Sequence, residues 1–168
     1  MQIVIMELGM NLITFSLFGD NPLYCQGAVE NANLARVIYP EWTARFYVAQ
    51  DVPEDYIKEI EDYGAEVVRC EKKNSYDGLN WRFRPLSSLK VHYWISRDAD
   101  SRLSWRERNA VDEWMESDKS AHLLRDCHNH GFTIMAGMFG INNKLFHERY
   151  GVLNLDNANA NYREADQT

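Results

Sequence analysis

Two aspartates one residue apart, Asp98 and Asp100, are the residues of this sequence best suited to chemistry. They follow residues 91–96, a short apolar run that predicts a buried strand. Ligands of open α/β sheets collect at the carboxyl ends of strands, where carboxylate oxygens can hold a hard divalent cation that binds phosphate oxygens. With twelve aspartates among 168 residues, about one Asp-x-Asp triplet is expected by chance, so its position after a strand carries the argument. The triplet predicts a metal and diphosphate site, and a solvated turn is the alternative.

An arginine suited to binding phosphate precedes the two aspartates in the sequence. Arg82 stands between Trp81 and Phe83, and a guanidinium group between aromatic side chains can stack on them and form paired hydrogen bonds with phosphate or carboxylate oxygens. The alternative is a short amphipathic helix whose Trp and Phe side chains enter the core. That alternative is stronger for Arg84 than for Arg82.

Two further segments could contribute to a site. Asp126, His128 and His130 offer one carboxylate and two imidazoles as acid, base or metal ligand, and a plain polar loop between strands is the alternative. Gly137 and Gly140 interrupt the apolar run that follows. Glycine weakens a strand unless something approaches the backbone closely, and both a sugar ring and a tightly packed neighbouring strand would do so.

Composition limits the class of protein. At 168 residues, with 45% hydrophobic and 26% charged residues, residues 1–168 fit a single globular domain. The net charge of −7 and the lack of a basic stripe argue against a nucleic-acid partner. The three cysteines are far apart and form neither a disulfide framework nor a zinc motif. The first residues resemble neither a signal peptide nor a membrane span, which favours a cytoplasmic protein, and residues 1–10 can be interpreted as an N-terminal extension.

Strand and helix signals alternate along the chain. Apolar runs predict strands over residues 12–18, 43–49, 66–70 and 91–96, with further strand segments over 121–124 and 132–141. Helices are predicted over residues 23–38, after an N-cap at Asp51, and after a capping box that begins at Ser104. This alternation indicates an α/β fold with a parallel sheet and crossover helices. No strand is followed by a nucleophile elbow, a P-loop or a dinucleotide-binding glycine motif, which disfavours the corresponding enzyme classes.

Taken together, residues 12–141 resemble nucleotide-sugar-dependent glycosyltransferases of the GT-A type. The resemblance rests on Trp-Arg-Phe at 81–83, Arg-Asp-x-Asp-Ser-Arg at 97–102, Arg-Asp-x-x-x-His at 125–130 and the glycine-containing run after it. Little-characterised microbial and viral sugar transferase domains have a similar pattern. The resemblance implies a Rossmann-like, mixed and mostly parallel sheet flanked by helices. It also implies that Asp98 and Asp100 hold Mn²⁺ or Mg²⁺ against the donor diphosphate, that Asp20 faces the nucleotide, and that Arg82 helps to hold the diphosphate.

A more distant similarity to glycogenin-like retaining transferases concerns the end of the chain. It implies that Gly137 lines the sugar pocket and that Gln167 belongs to an Asp-Gln motif near the reacting centre, while Asp126 is the candidate to contact sugar or acceptor. Such enzymes take a further histidine ligand from beyond that motif, and this sequence ends at Thr168. Either His128 or His130 substitutes for it, or a C-terminal part is missing beyond the polar tail of residues 154–168.

The sequence thus predicts a metal-dependent, hexosyltransferase-like enzyme. It would move a sugar from a nucleoside-diphosphate sugar to a glycan or another hydroxyl acceptor, with the cation offsetting charge on the leaving diphosphate. A module that binds nucleotide sugar or glycan without turnover is the first alternative. A phosphatase of the haloacid dehalogenase type is the second, although its Asp-x-Asp motif normally lies at the first strand, and here three strands precede the strand that carries the motif.

Overall fold

The computed structural model describes residues 9–72, 77–125, 134–153 and 155. The strands are β1 (Met10–Leu17), β2 (Thr43–Ala49), β3 (Glu66–Cys70), β4 (Val91–Arg97), β5 (Ala121–Leu123) and β6 (Met138–Asn142). The helices are α1 (Pro22–Ile38), α2 (Glu54–Asp62), the short α3 (Asp77–Asn80), α4 (Trp105–Met115) and α5 (Asn143–Tyr150). A 3₁₀ helix, Trp81–Ser87, continues directly from α3.

The strands form one mixed sheet in the order β3-β2-β1-β4-β6-β5. β1 is parallel to both of its neighbours, β2 and β4, and β2 is parallel to β3. β6 is antiparallel to β4 and to β5. The predicted α/β class, with a mostly parallel sheet flanked by helices, is confirmed.

The centre of the sheet is buried on both faces, as its composition predicts. Leu12, Ile13, Phe15 and Leu17 of β1 are almost fully excluded from solvent. Such near-continuous apolar runs are typical of parallel strands that helices cover on both sides. The ring of Phe15 stacks on that of Phe46 in β2, with centroids 4.5 Å apart. β1 is therefore a buried central strand, and its neighbours β2 and β4 are positioned by pairing with it.

The chain reverses its direction of travel across the sheet at β1. From β1 it moves outward through β2 to β3, and it then returns to place β4 on the other side of β1. In open α/β sheets such a switch point opens a crevice beyond the carboxyl ends of the two strands. In this chain, Asp20 lies in the loop after β1, and Asp98 lies in the loop after β4.

Local predictions were wrong at two places. Asp51 does not cap α2, whose N-cap is Pro53 without a side-chain hydrogen bond. The Asp51 carboxylate instead accepts a hydrogen bond from Gly19 N (2.8 Å) and pairs with Lys72. The strand predicted over residues 132–141 begins at Met138, because residues 135–138 form a turn closed by Met138 N and Met135 O at 2.9 Å. Residues 132 and 133 lie outside the described residues.

No helix in the described parts of the chain combines the length and the apolar character needed to cross a bilayer.

Candidate functional site

The site is built from the loops that follow the parallel strands, on the crevice side of the sheet. Asp20 follows β1, Asp51 follows β2, Lys72 follows β3, and Asp98 follows β4. These ends meet at one edge because the four strands are parallel. Of these four residues, the sequence analysis had placed Asp20 and Asp98 at the site.

Asp98 and Asp100 lie in a tight turn directly after β4. Ser101 N donates to Asp98 O at 3.3 Å, which closes the turn. Ala99, between the two aspartates, is only 4% exposed and belongs to the main hydrophobic core, whereas Asp98 is half-buried and Asp100 is exposed. Burial of the middle residue leaves the two acidic residues on the solvent side of the turn.

Arg82 forms an ion pair with Asp98. Its Nη1 donates to Asp98 Oδ1, and its side chain is 7% exposed while that of Asp98 is 42% exposed. The backbone fixes the position of Arg82, because Arg82 N donates to Ser16 Oγ (3.2 Å) and Arg82 O accepts from Thr14 Oγ1 (2.9 Å). The 3₁₀ helix thus places a buried guanidinium group between the ends of β1 and β4.

Gly137 packs against the carboxylate of Asp98 from the other side. A Cβ atom at position 137 would lie 2.0 Å from Asp98 Oδ2, so a side chain there would displace the carboxylate. The neighbouring Ala136 O accepts a hydrogen bond from Ser96 Oγ at 2.6 Å, which anchors this segment to β4. Gly140 has a different role, because a Cβ there would press on Ile95 and the Trp114 ring. Tight packing against the neighbouring strand thus accounts for Gly140, whereas Gly137 is explained by the Asp98 side chain, which neither of the two expectations included.

Asp20 lies at the rim of the crevice. It is exposed, and it sits between Gly19, whose φ of 76° favours glycine, and Asn21, whose side chain caps α1 by accepting from Leu23 N at 3.0 Å. The turn before Asp20 is fixed by the hydrogen bond from Gly19 N to Asp51.

Asp51 and Lys72 are site residues that the sequence analysis missed. The hydrogen bond from the Lys72 side chain, followed by that from Gly19 N, lowers the pKa of Asp51 below its ordinary value. Gln50 joins the same two strand ends, since its Oε1 accepts from Lys72 N at 3.0 Å. The signal was present, because only Gln50 separates Asp51 from the end of β2, but the distance of Asp51 from Pro53 suggested a helix cap instead.

Behind the aspartates lies a buried charged pair. Arg97, the last residue of β4, is 4% exposed and pairs with Glu107 in the first turn of α4. Its Nη1 also donates to Ser96 O (2.7 Å) and Phe139 O (3.2 Å). Burial lowers the pKa of Arg97 to about 10. The hydrogen bonds of Arg97 thus connect β4, β6 and α4 beneath the turn. Ser104 is the N-cap of α4, and its side chain accepts a hydrogen bond from Glu107 N at 3.3 Å.

The described residues bring together Asp98, Arg82 and Gly137, with Asp100 in the same turn and Asp20 on the same edge of the sheet. Within the ranges that the structure describes, no group of three or more His, Cys, Asp or Glu side chains is placed to hold a metal ion. Asp126, His128, His130 and Gln167 lie outside the described residues.

Comparison with known proteins identifies the fold. No protein-family model and no curated protein matches the sequence. Among solved structures, the chain is similar to the mannosyltransferase PcManGT from Pyrobaculum calidifontis, in complex with GDP-Man and Mn²⁺, with a TM-score of 0.53 and 10% identity over 86% of this chain and 48% of that one. It is also similar to the galactosyltransferase LgtC, in complex with donor and acceptor sugar analogues, with a TM-score of 0.50 and 12% identity over 94% and 65% of the two chains.

The chain has the GT-A fold. The fold implied by the sequence resemblance is therefore confirmed, including its Rossmann-like, mostly parallel sheet. The chain spans about half the length of the mannosyltransferase and less than two thirds of LgtC.

Proposed function

We propose that this chain is a metal-dependent glycosyltransferase domain that moves a sugar from a nucleoside-diphosphate sugar to a hydroxyl acceptor. One observation carries the proposal: at the switch point of a GT-A sheet, the Asp98 carboxylate is held between the buried guanidinium group of Arg82 and the backbone of Gly137. The neighbours of known structure, a mannosyltransferase with GDP-Man and Mn²⁺ and a galactosyltransferase with donor and acceptor analogues, support the same reaction class.

The residues present fit a hard divalent cation. Carboxylate oxygens are the ligands that Mg²⁺ and Mn²⁺ prefer, and Mg²⁺ is commonly held by one or two carboxylates together with substrate phosphates. The Asp98 side chain is partly exposed although Arg82 binds one of its oxygens, and Asp100 is exposed in the same turn. Asp98 and Asp100 would hold the ion, and a diphosphate would supply further oxygens. When bound, the ion would act as a Lewis acid and neutralise charge on the leaving diphosphate.

The proposed roles of Arg82, Gly137 and Asp20 follow from their positions, whereas those of Asp126 and Gln167 rest on the sequence alone. Arg82 carries a permanent positive charge at the crevice floor, where it would orient the diphosphate through a planar, forked contact. Gly137 lets the Asp98 carboxylate lie directly against the backbone, and it would line the sugar pocket at that point. Asp20 lies on the rim where the nucleotide would enter. We assign to Asp126 the contact with sugar or acceptor, and to Gln167 a place near the reacting centre.

A thermal-shift screen tests the metal and nucleotide site. The full chain is titrated with GDP or UDP, with and without Mn²⁺, because a ligand that binds only the folded state raises the melting temperature by mass action. We expect stabilisation that requires both Mn²⁺ and nucleotide, and we expect Asp100→Ala to abolish it with little change in the apo melting temperature. Asp62→Ala, which removes an exposed carboxylate at the end of α2, is the control. Equal Mn²⁺-dependent stabilisation of Asp100→Ala and wild type would exclude the assignment.

Turnover is tested separately by product analysis with a panel of GDP and UDP sugars. Mn²⁺-dependent release of the nucleoside diphosphate supports the transferase. Binding of a nucleotide sugar with no release of diphosphate supports the binding module instead, and release of inorganic phosphate from a monoester supports the phosphatase.

A further inference from the structure

One buried side chain of α1 holds the loop that carries the two aspartates. Asn31 is fully excluded from solvent. Its Nδ2 donates to Ser101 O at 2.7 Å and to Ala99 O at 3.3 Å, and its Oδ1 accepts from Leu103 N at 3.1 Å. A single amide group thus satisfies three backbone groups of a loop that has neither helical nor strand hydrogen bonds of its own.

The surface of α1 around Asn31 is shaped to receive this loop. Gly27, one helical turn earlier, lies so close that a Cβ atom there would be 2.1 Å from Ala99 O. Glu30 forms an ion pair with Arg102, whose Nη1 also donates to Ala99 O at 3.2 Å. Positions 27, 30 and 31 lie on one helix face, as the i, i+3 and i+4 spacing requires. The loop therefore contacts α1 through Ala99 and through residues 101–103.

This contact determines the direction of the two acidic residues. Because the carbonyl of Ala99 is bound to α1 and its methyl group is in the core, Asp98 and Asp100 on either side of it are left on the outer side of the turn. The N-cap of the same helix is Asn21, next to Asp20. One rigid element thus connects the rim of the crevice with the turn that follows β4.

We infer that Asn31 is the positioning residue of the candidate metal site: it fixes the Asp98 to Asp100 turn in the geometry that binds the cation. The inference rests on the function proposed above, since it gives Asn31 a role at the same site. Residues that orient metal ligands without touching the metal typically change metal affinity by about 10- to 100-fold when removed.

The chain offers a closely matched control in Asn143. This residue is 1% exposed, and it also makes three hydrogen bonds: Nδ2 donates to Pro85 O (2.7 Å) and Ser88 O (3.2 Å), and Oδ1 accepts from Trp94 Nε1 (2.8 Å). It binds the far end of the 3₁₀ helix to β4 and makes no contact with the turn at 98–101. Loss of Asn143 therefore has a similar cost in stability without the same effect on the aspartates.

The experiment compares Asn31→Ala and Asn143→Ala in the full chain. Mn²⁺ affinity is measured from the electron paramagnetic resonance signal of free Mn²⁺, alone and with GDP or UDP, and amide hydrogen exchange is followed over residues 98–104. Asn31→Asp is the second variant. It keeps the acceptor for Leu103 N but places an oxygen opposite two carbonyl groups, so it disturbs the turn with almost no change in volume.

We expect both Asn31 variants to weaken Mn²⁺ binding by at least about tenfold and to accelerate exchange over residues 98–104. Asn143→Ala should lower the melting temperature and leave both quantities unchanged. Wild-type Mn²⁺ affinity in folded Asn31→Ala, or an equal loss in Asn143→Ala, would overturn the inference and leave the proposed function intact. A wild-type protein that binds no Mn²⁺ under any of these conditions would overturn the proposed function and this inference with it.

Discussion

A methyl group at position 137 would displace the carboxylate of Asp98. In Gly137→Ala the new Cβ would lie 2.0 Å from Asp98 Oδ2 and 2.3 Å from its Cγ, whereas ordinary van der Waals contact begins at 3.4 Å. The oxygen and the methyl group must therefore separate by about 1.4 Å, while metal sites tolerate only about ±0.2 Å in ligand distance. The φ of Gly137 is not positive, so the substitution acts through this contact and not through backbone strain.

The carboxylate is the part that has room to move. Ala136 O is bound to Ser96 Oγ, and Met138 is paired with Arg97 in the β4–β6 ladder, so the backbone on both sides of Gly137 is anchored to β4. Displacing Asp98 also disturbs its ion pair with Arg82. A hydrogen bond to a charged group contributes about 1.5–3 kcal/mol, and the partial exposure of Asp98 places the loss at the low end of that range.

The assay is Mn²⁺ titration of the full chain together with urea unfolding. We expect Gly137→Ala to lose Mn²⁺ affinity by at least about tenfold and to unfold with a free energy lower by about 1–2 kcal/mol. Gly140→Ala is the control, since its Cβ would meet Ile95 Cγ2 at 2.8 Å and the Trp114 ring at 3.0 Å, away from Asp98. It should lose about 1–3 kcal/mol through overpacking and keep its Mn²⁺ affinity. Folded Gly137→Ala that binds Mn²⁺ as wild type does would refute the geometric argument.

Two further predictions concern Arg82 and His122. Arg82→Lys should weaken Mn²⁺-dependent binding of GDP or UDP, because an ammonium group cannot make the forked contact. Arg84→Lys is the control, since it alters an exposed side chain near Cys70 and Tyr47 and should leave nucleotide binding unchanged. Equal nucleotide affinity of Arg82→Lys and wild type would place the phosphate partner elsewhere. Burial, with a smaller effect of Arg97, lowers the pKa of His122 to about 4 from 6.5. The unfolded state therefore takes up a proton first as the pH falls, and the free energy of unfolding should decrease between pH 6.5 and pH 4, by up to about 3 kcal/mol. His122→Phe should flatten this dependence in urea unfolding measured at several pH values, and an unchanged slope would exclude His122 as its source.

The sequence was informative wherever a feature depends on neighbours along the chain. The alternation of apolar strands with capped helices is local, so the α/β class and most element boundaries followed from it. The position of Asp98 after a strand is local as well, and it pointed to the edge at which open α/β sheets generally bind ligands. The helix cap expected at Asp51 did not form. An aspartate shortly before a helix can either cap the helix or bind a group elsewhere in the fold, and Asp51 accepts a hydrogen bond from the backbone amide of Gly19, 32 positions earlier.

What the sequence determined by itself is the set of strands and the polar residues that end them, because hydrophobic periodicity and turn chemistry act over a few residues. Only the tertiary structure decided which of those residues meet. Arg82 reaches Asp98 across 16 positions, Gly137 reaches it across 39 because β6 inserts beside β4, and Asn31 holds Ser101 across 70. Contacts of this span depend on strand order and helix packing, and no local pattern encodes them, because the free energy that fixes them comes from burying the whole sheet at once.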